Sequence, residues 1–178
     1  MIKKIGNFFL EIIEIVVFSI SIFLFLYLLV VQPHKIQGSS MEPNFHDGQY
    51  LLTDKITYRF NEPQVGDVIV FKAPPDFQDE YIKRIIAIPG EKITIKNNQV
   101  YKNGDKFSES YIPQETDTNA GKFAQEEKSI TIPQGEYFVM GDNRQHSLDS
   151  RSFGFVKLDN ITGRAWLIYW PPTDFGTI

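Results

Sequence analysis

Three short stretches of the chain carry residue types that could do chemistry together. Gly38-Ser39-Ser40-Met41-Glu42-Pro43 offers hydroxyls, Tyr81-Ile82-Lys83-Arg84-Ile85-Ile86-Ala87-Ile88 offers an amine, and Gly141 to Arg151 gathers acids, arginines and serines in one polar run. A serine hydroxyl is a weak nucleophile until a neighbouring base takes its proton. A lysine is such a base only when neutral. Strand alternation puts Tyr81, Lys83, Ile85 and Ala87 on one face, and an apolar setting lowers a lysine pKa from ~10.4. Blander readings stand beside these. Gly-Ser-Ser is also a flexible linker, Lys83 on an edge strand can snorkel to water, and the polar run can be a plain surface turn.

Other chemistries fall away. The chain has no Cys, which removes thiol catalysis, disulfides and zinc ribbons together. In the polar run His146 falls where a calcium loop needs Asp or Asn, and the sequence has no His-Glu-x-x-His. Metal catalysis is not expected. A net charge of −4 and a pI near 5.4 leave no cationic surplus for phosphates, so no nucleic-acid partner is expected.

The elements that must position these residues divide into two parts. From Ile15 to Pro33 there are 19 consecutive uncharged residues, mostly Ile, Val, Leu, Phe and Tyr. As a helix they reach ~28 Å, enough to cross a bilayer. The run exceeds the ~7 to 15 apolar residues of a cleavable secretory signal, and Gln32-Pro33-His34-Lys35 offers no small-x-small cleavage site. Residues 1–33 therefore read as an uncleaved membrane anchor. Lys3, Lys4 and the terminal amine on one side, against Lys35 on the other, favour an inward amino terminus weakly.

Residues 34–178 read as strands between turn signals. The candidates are Tyr50–Thr53, Asp67–Phe71, Tyr81–Ile88, Lys92–Ile95, Gln99–Lys102, Ser129–Ile132, Tyr137–Met140 and Ala165–Tyr169. Asn103-Gly104 signals a tight hairpin, because a type I′ turn needs positive φ at both central residues. Pro113 to Lys128 is polar, with Phe123 the main exception, and reads as a long exposed loop open to disorder.

The ordered set of anchor, Gly-x-Ser-Met-x-Pro, Gly-Asp-Val-Ile-Val-Phe, Tyr-Ile-Lys-Arg-Ile-Ile-Ala-Ile-Pro-Gly-Glu and Gly-Asp-Asn-Arg-x-x-Ser-x-Asp-Ser-Arg resembles bacterial type I signal peptidase from residue 1 to about 172. Gly163-Arg164-Ala165-Trp166 and Tyr169-Trp170-Pro171 extend the likeness. The resemblance implies a mainly β fold: an N-terminal transmembrane helix, then an antiparallel β-sheet catalytic domain with a small β cap inserted at about 97–134. It implies Ser40 as nucleophile, Lys83 as general base and Ser147 as the hydroxyl that orients the Lys83 amine. Asp142, Asp149 and Arg151 would support the site through ion pairs and hydrogen bonds.

By the same likeness Ile36, Val70 and Ile82 form shallow apolar pockets for small side chains of an extended signal peptide. Met41 would lie near the bilayer surface or the substrate, and Pro43 would fix the turn after Ser40. The oxyanion would take the Ser40 N–H, while the second donor some members carry is replaced here by Gly38. The family's usual acid after Pro-Gly is Glu91 here instead of Asp. The implied partners are secretory preproteins and the lipid bilayer, with no cofactor and no metal. The implied location is the plasma (inner) membrane, single-pass, with the amino terminus in the cytoplasm and the catalytic domain outside. Two rivals remain at this point: a Ser-Lys maturation peptidase dedicated to one substrate, and a non-enzymatic, membrane-tethered β domain. Self-cleaving repressors share the fold type and the dyad, but the anchor argues against them.

Overall fold

The computed structural model describes residues 2–178, so the Met1 amine and the Lys3 and Lys4 side chains used for orientation lie outside what is described. Helix α1 (Ile2–Leu29) contains a 22-residue stretch, Gly6–Tyr27, long and apolar enough to cross a membrane. It ends sooner than the uncharged run suggests. Strand β1 (Val31–Lys35) begins two residues after Leu29, so the boundary drawn at residue 33 falls inside a strand. The β-branched Val30-Val31 pair and Pro33 favour extended backbone there. Pro33 is tolerated because β1 is an edge strand paired with one neighbour.

After β1 come β2 (Tyr50–Asp54), the short helix α2 (Thr57–Phe60), β3 (Val68–Lys72), β4 (Glu80–Ala87), β5 (Lys92–Lys96), β6 (Gln99–Lys102) and β7 (Asp105–Lys106). They are followed by β8 (Ile130–Thr131), β9 (Glu136–Met140), α3 (Ser150–Phe153), β10 (Val156–Lys157), β11 (Ile161–Trp170) and β12 (Gly176–Thr177). The expectation of a mainly antiparallel β protein behind an apolar helix is borne out. The larger sheet runs β1-β2-β11-β3-β4-β9-β10, with β12 also on β11, and the smaller one runs β7-β6-β5-β8.

Asn103 and Gly104 both take positive φ and join β6 to β7 as a two-residue hairpin. Asn97 and Asn98 do the same between β5 and β6, a turn the sequence reading does not single out. Ile86, Ile93, Ile95, Val100, Ile132, Phe138 and Met140 bury the contact between the two sheets. Elsewhere on the larger sheet Ile69, Phe71, Ile85, Tyr137 and Val139 form one cluster, while Ile36, Met41, Phe45, Leu51, Val68 and Val70 form another.

The stretch read as an exposed loop, Pro113 to Lys128, has no strand or helix and is mostly exposed, but it is tied down at a few points: Thr118 and Ala124 are buried, and the Phe123 ring meets Phe155 edge-on at 5.0 Å between centroids. The Phe123 and Ala124 N–H groups donate to the Arg151 carbonyl, and Thr118 N–H to Asn98.

Ile85 is fully buried where β4 pairs with β9. Ile85→Ala is expected to lower stability by about 2–5 kcal/mol, read from denaturation of the detergent-solubilised chain. Phe60→Ala, at a side chain 81% exposed, is expected to change it by less than about 0.5 kcal/mol.

Candidate active site

Ser40 is displayed by its neighbour. Met41 is 1% exposed and packs with Ile36, Phe45, Leu51 and Val70, so the turn is pinned from below and the preceding hydroxyl stays at the surface of the fold. Met41, expected near the bilayer surface or the substrate, lies in the core beneath the cleft residues Ile36, Leu51 and Val70. Asn44 and Phe45 N–H groups close the turn on the Met41 carbonyl at 3.1 and 3.0 Å. Gly38 enters it with φ of 84°, a conformation glycine adopts without a Cβ penalty, and its N–H donates to Asp47 at 2.7 Å.

Lys83 lies opposite Ile69 in the ladder between β4 and β3, on the face where Ile85 also packs. It is 4% exposed, so it does not snorkel. Its Nζ lies 2.8 Å from Ser40 Oγ and donates to the Ile82 carbonyl at 2.8 Å, with the Tyr81 ring 5.3 Å away. Burial pulls the amine from the ordinary lysine value of 10.5 down to about 8, against the opposing pull of Asp149 and Asp142. A shift of that size corresponds to about 3 kcal/mol between the two protonation states.

The polar run between β9 and β10 is held by paired forks. Arg151 grips Asp149 through Nε and an Nη at 2.8 Å each, while Asp149 caps α3 and accepts from the Gly141 N–H. Arg84 grips Asp142 in the same way at 2.9 and 2.7 Å. Asp142, Asp149 and Arg151, the residues expected to support the site, are thus placed in ion pairs, Asp142 with Arg84 and Asp149 with Arg151. Asn143 ties the run to the serine turn, donating to the Ser40 carbonyl from its N–H at 3.1 Å and to the Ser39 carbonyl from its side chain at 3.0 Å.

Ser147 differs from expectation. Its hydroxyl is buried near the Ser40 carbonyl but has no hydrogen-bond partner, so the expected bond to Lys83 is not made here. The sequence reading also passes over Arg84, Asn143, Arg144, Asn44, Glu109 and Tyr111. The first three stand inside the quoted motifs, where their side-chain chemistry was a usable signal. Asn44, Glu109 and Tyr111 carry no local one.

Ser40 and Lys83 open into a cleft of about 530 Å³ between the segments 34–37 and 79–83. Ile36, Val70 and Ile82, far apart in sequence, all line it. His34, Glu80 and Leu148 do so as well, and they were not anticipated. His34 meets Glu80 at 2.8 Å across the cleft. Burial alone would raise the Glu80 carboxyl; hydrogen bonds from Thr162 and His34 outweigh it and hold the pKa below the ordinary value.

Residues 9–170 match the family model described as signal peptidase, peptidase S26. A protein of Synechocystis sp. named probable signal peptidase I-1 is 34% identical over 179 residues, covering 97% of this chain and 88% of its own. Signal peptidase IB of Staphylococcus aureus strain COL is 35% identical, covering 93% of each. A crystal structure of a signal peptidase I from Enterococcus faecalis V583 is 33% identical over 58% of this chain and 97% of its own, with a TM-score of 0.48. The chain belongs to the signal peptidase family, as the motifs led us to expect, and is an endopeptidase of that kind.

Gly141 has no room for a side chain. A Cβ there would stand 2.4 Å from the Ser40 carbonyl and 2.3 Å from Ser147 Oγ. Gly141→Ala is expected to lower kcat by about a hundredfold by pushing the polar run off the serine turn, measured as preprotein cleavage by a protein whose circular dichroism stays native. Wild-type kcat in that variant would contradict the tight apposition.

Proposed function

We propose that this member of the signal peptidase family removes signal peptides from secreted preproteins with Ser40 as nucleophile and neutral Lys83 as general base. The observation that carries the reading is the 2.8 Å contact between Ser40 Oγ and a buried Lys83 Nζ. With a pKa of about 8, about a tenth of the lysines are neutral at pH 7, against about one in 3,000 at 10.5. Neutral Lys83 takes the Ser40 proton as Oγ attacks the scissile carbonyl. The Lys83 ammonium then gives that proton to the departing amine, leaving an acyl-enzyme. In the second half Lys83 takes a proton from the attacking water and returns it to Ser40 as the acyl group leaves. The Ser40 N–H has no acceptor among the described residues, which suits it to the oxyanion. Ser147 carries the hydroxyl available to donate to the neutral amine.

The substrate enters as an extended strand. β9 pairs with β4 only from Arg84 onward, so the Glu80–Lys83 edge is open on the cleft side for backbone hydrogen bonds. Ile36, Val70 and Ile82 make that wall shallow and apolar, which favours small side chains just before the cut. Domain limits follow the same reading: α1 anchors the chain, the larger sheet carries catalysis, and the β5–β8 sheet with its connections is the cap. Trp166, Trp170 and Phe175 remain exposed, a composition suited to a bilayer interface. The orientation proposed puts the sheets outside the cytoplasm, where secreted chains emerge; a carboxyl-terminal reporter found in the cytoplasm would reject it.

Ser40→Ala and Lys83→Ala are each expected to lower cleavage at least about a thousandfold, with the wild-type product ending after a small-x-small pattern. A dedicated maturation peptidase would instead ignore most preproteins, and a binding domain would cut none. Because Lys83 must be neutral, kcat/KM is expected to fall about tenfold per pH unit below its pKa of about 8 and to level off above it. A flat profile from pH 6 to 9 sinks the lysine's role.

The same depressed pKa has a sign for stability. Below pH 8 the folded state holds a charge that burial opposes, an unfavourable contribution of about 3 kcal/mol at pH 7 that fades as pH rises towards 10.5. Lys83→Met is therefore expected to melt higher than wild type at pH 7 while inactive, with the gain vanishing near pH 10. Equal melting at pH 7 would contradict the buried charge.

A further inference from the structure

The segment from Phe107 to Ala124 carries the least catalytic-looking part of the sequence, yet its Glu109 pairs with buried Arg144 of the polar run beside the site. We infer that Glu109 is a positioning residue for the Ser40–Lys83 pair, acting through Arg144 on the run from Gly141 to Ser147. The inference rests on the catalytic reading above.

Arg144 is 3% exposed and uses its fork in three directions. One Nη donates to Glu109 and Thr118 at 2.8 Å each, the other Nη donates to the second Glu109 oxygen, and Nε donates to the Gly141 carbonyl at 3.1 Å. Glu109 is thus the counter-charge of a buried cation whose remaining grip is on Gly141. The Gly141 Cα in turn lies hard against Ser147 Oγ and the Ser40 carbonyl, as the collisions of an added Cβ show. A shift at Arg144 is passed to both serines.

Tyr111 gives the same segment a second hold. Its hydroxyl donates to Glu109, its ring lies 4.2 Å from the Arg84 guanidinium, and its carbonyl accepts from Asn44 at 2.7 Å. The Asn44 amide also donates to Asp142, the carboxylate that Arg84 grips. Glu109 and Tyr111 therefore touch both arginines that fix the ends of the Gly141–Arg144 turn, and the turn that follows Ser40. Lys83 is faced by Asp149 and Asp142 from this run, by Ser40 from the nucleophile turn and by the Tyr81 ring from its own strand. Moving the run changes the charges that Lys83 feels and the water that reaches it.

A buried ion pair is often structural and nothing more, so the test needs a readout that mere destabilisation leaves alone. The full chain in detergent is assayed on a preprotein as wild type, Glu109→Gln, Glu109→Asp and Tyr111→Phe, with exposed Glu115→Gln as the charge control. Activities are normalised to the folded fraction. Glu109→Gln is expected to lower kcat about ten- to a hundredfold with KM within about twofold, and, because water admitted to Lys83 relieves the burial that outweighs the pull of Asp149 and Asp142, to move the acid limb of kcat/KM upward by about half a pH unit or more. Glu109→Asp should recover part of both effects, Tyr111→Phe should move the limb the same way by less, and Glu115→Gln should match wild type.

An acid limb and normalised kcat unchanged in Glu109→Gln would overturn the inference. If that variant does not fold, unchanged values in Tyr111→Phe would overturn it equally. A wild type with no acid limb, or an active Ser40→Ala, would instead sink the underlying catalytic reading, so the two failures are told apart.

Discussion

An amine kept dry beside a hydroxyl is the interaction on which the rest of the structure depends. Burial disfavours the ammonium and pulls Lys83 down, while Asp149 and Asp142 restore part of its proton affinity. Either influence alone gives a poor base at neutral pH. Without the acids the amine would bind its proton too weakly to take one from serine, and with a carboxylate in contact it would stay charged. Among the described residues no carboxylate makes an ion pair with Lys83. The two acids act on it from a distance because each is already held by an arginine.

That arrangement explains why the centre is crowded with charge. Arg84 with Asp142, Arg144 with Glu109 and Arg151 with Asp149 are buried or nearly so, and each guanidinium meets its carboxylate through two nitrogens. Such pairs are weak arguments for stability, since apolar residues of the same volume often do as well. Their planar forks are strong arguments for position, because two parallel bonds fix both distance and orientation. The Gly141–Ser147 turn is set by them to within the thickness of a missing Cβ. On the proposed mechanism the same geometry decides where Ser40 and Lys83 meet.

What could be read in the sequence follows from how locally each feature is encoded. Strand alternation announced β4 and the apolar face of Lys83, and Asn103-Gly104 announced its hairpin, because both signals lie within a few residues. The end of α1 was not legible: Val30, Val31 and Gln32 suit a helix or an edge strand, and pairing with Leu52–Asp54 decides between them. Met41, flanked by Ser and Glu, gave no sign that it belongs to the core. Polarity between Pro113 and Lys128 read as exposure, which holds for most of the stretch, whereas Thr118 is buried and accepts a hydrogen bond from buried Arg144. Glu109 and Arg144 are 35 positions apart, and no periodicity spans that distance. The family motifs brought Ser40, Lys83 and the supporting acids together, but they could not foretell that Ser147 would sit buried without a partner.

The route of the chain adds a constraint on what the cleft can receive. α1 passes into β1 without a linker, and the Lys55 N–H bonds the Val30 carbonyl, so the far end of β2 is fixed at the exit of the helix. Residues 34–37, one wall of the cleft, follow within eight positions of Leu29, a reach of at most about 28 Å of extended chain. If α1 spans the bilayer, a substrate whose own apolar segment lies in that bilayer meets the Ser40–Lys83 pair only with the few extended residues that follow it. On the proposed reading the wall at Ile36, Val70 and Ile82 would select side-chain size, and the short reach of the tether would select how far from the bilayer the cut falls. A tether without slack would make height above the membrane part of the specificity.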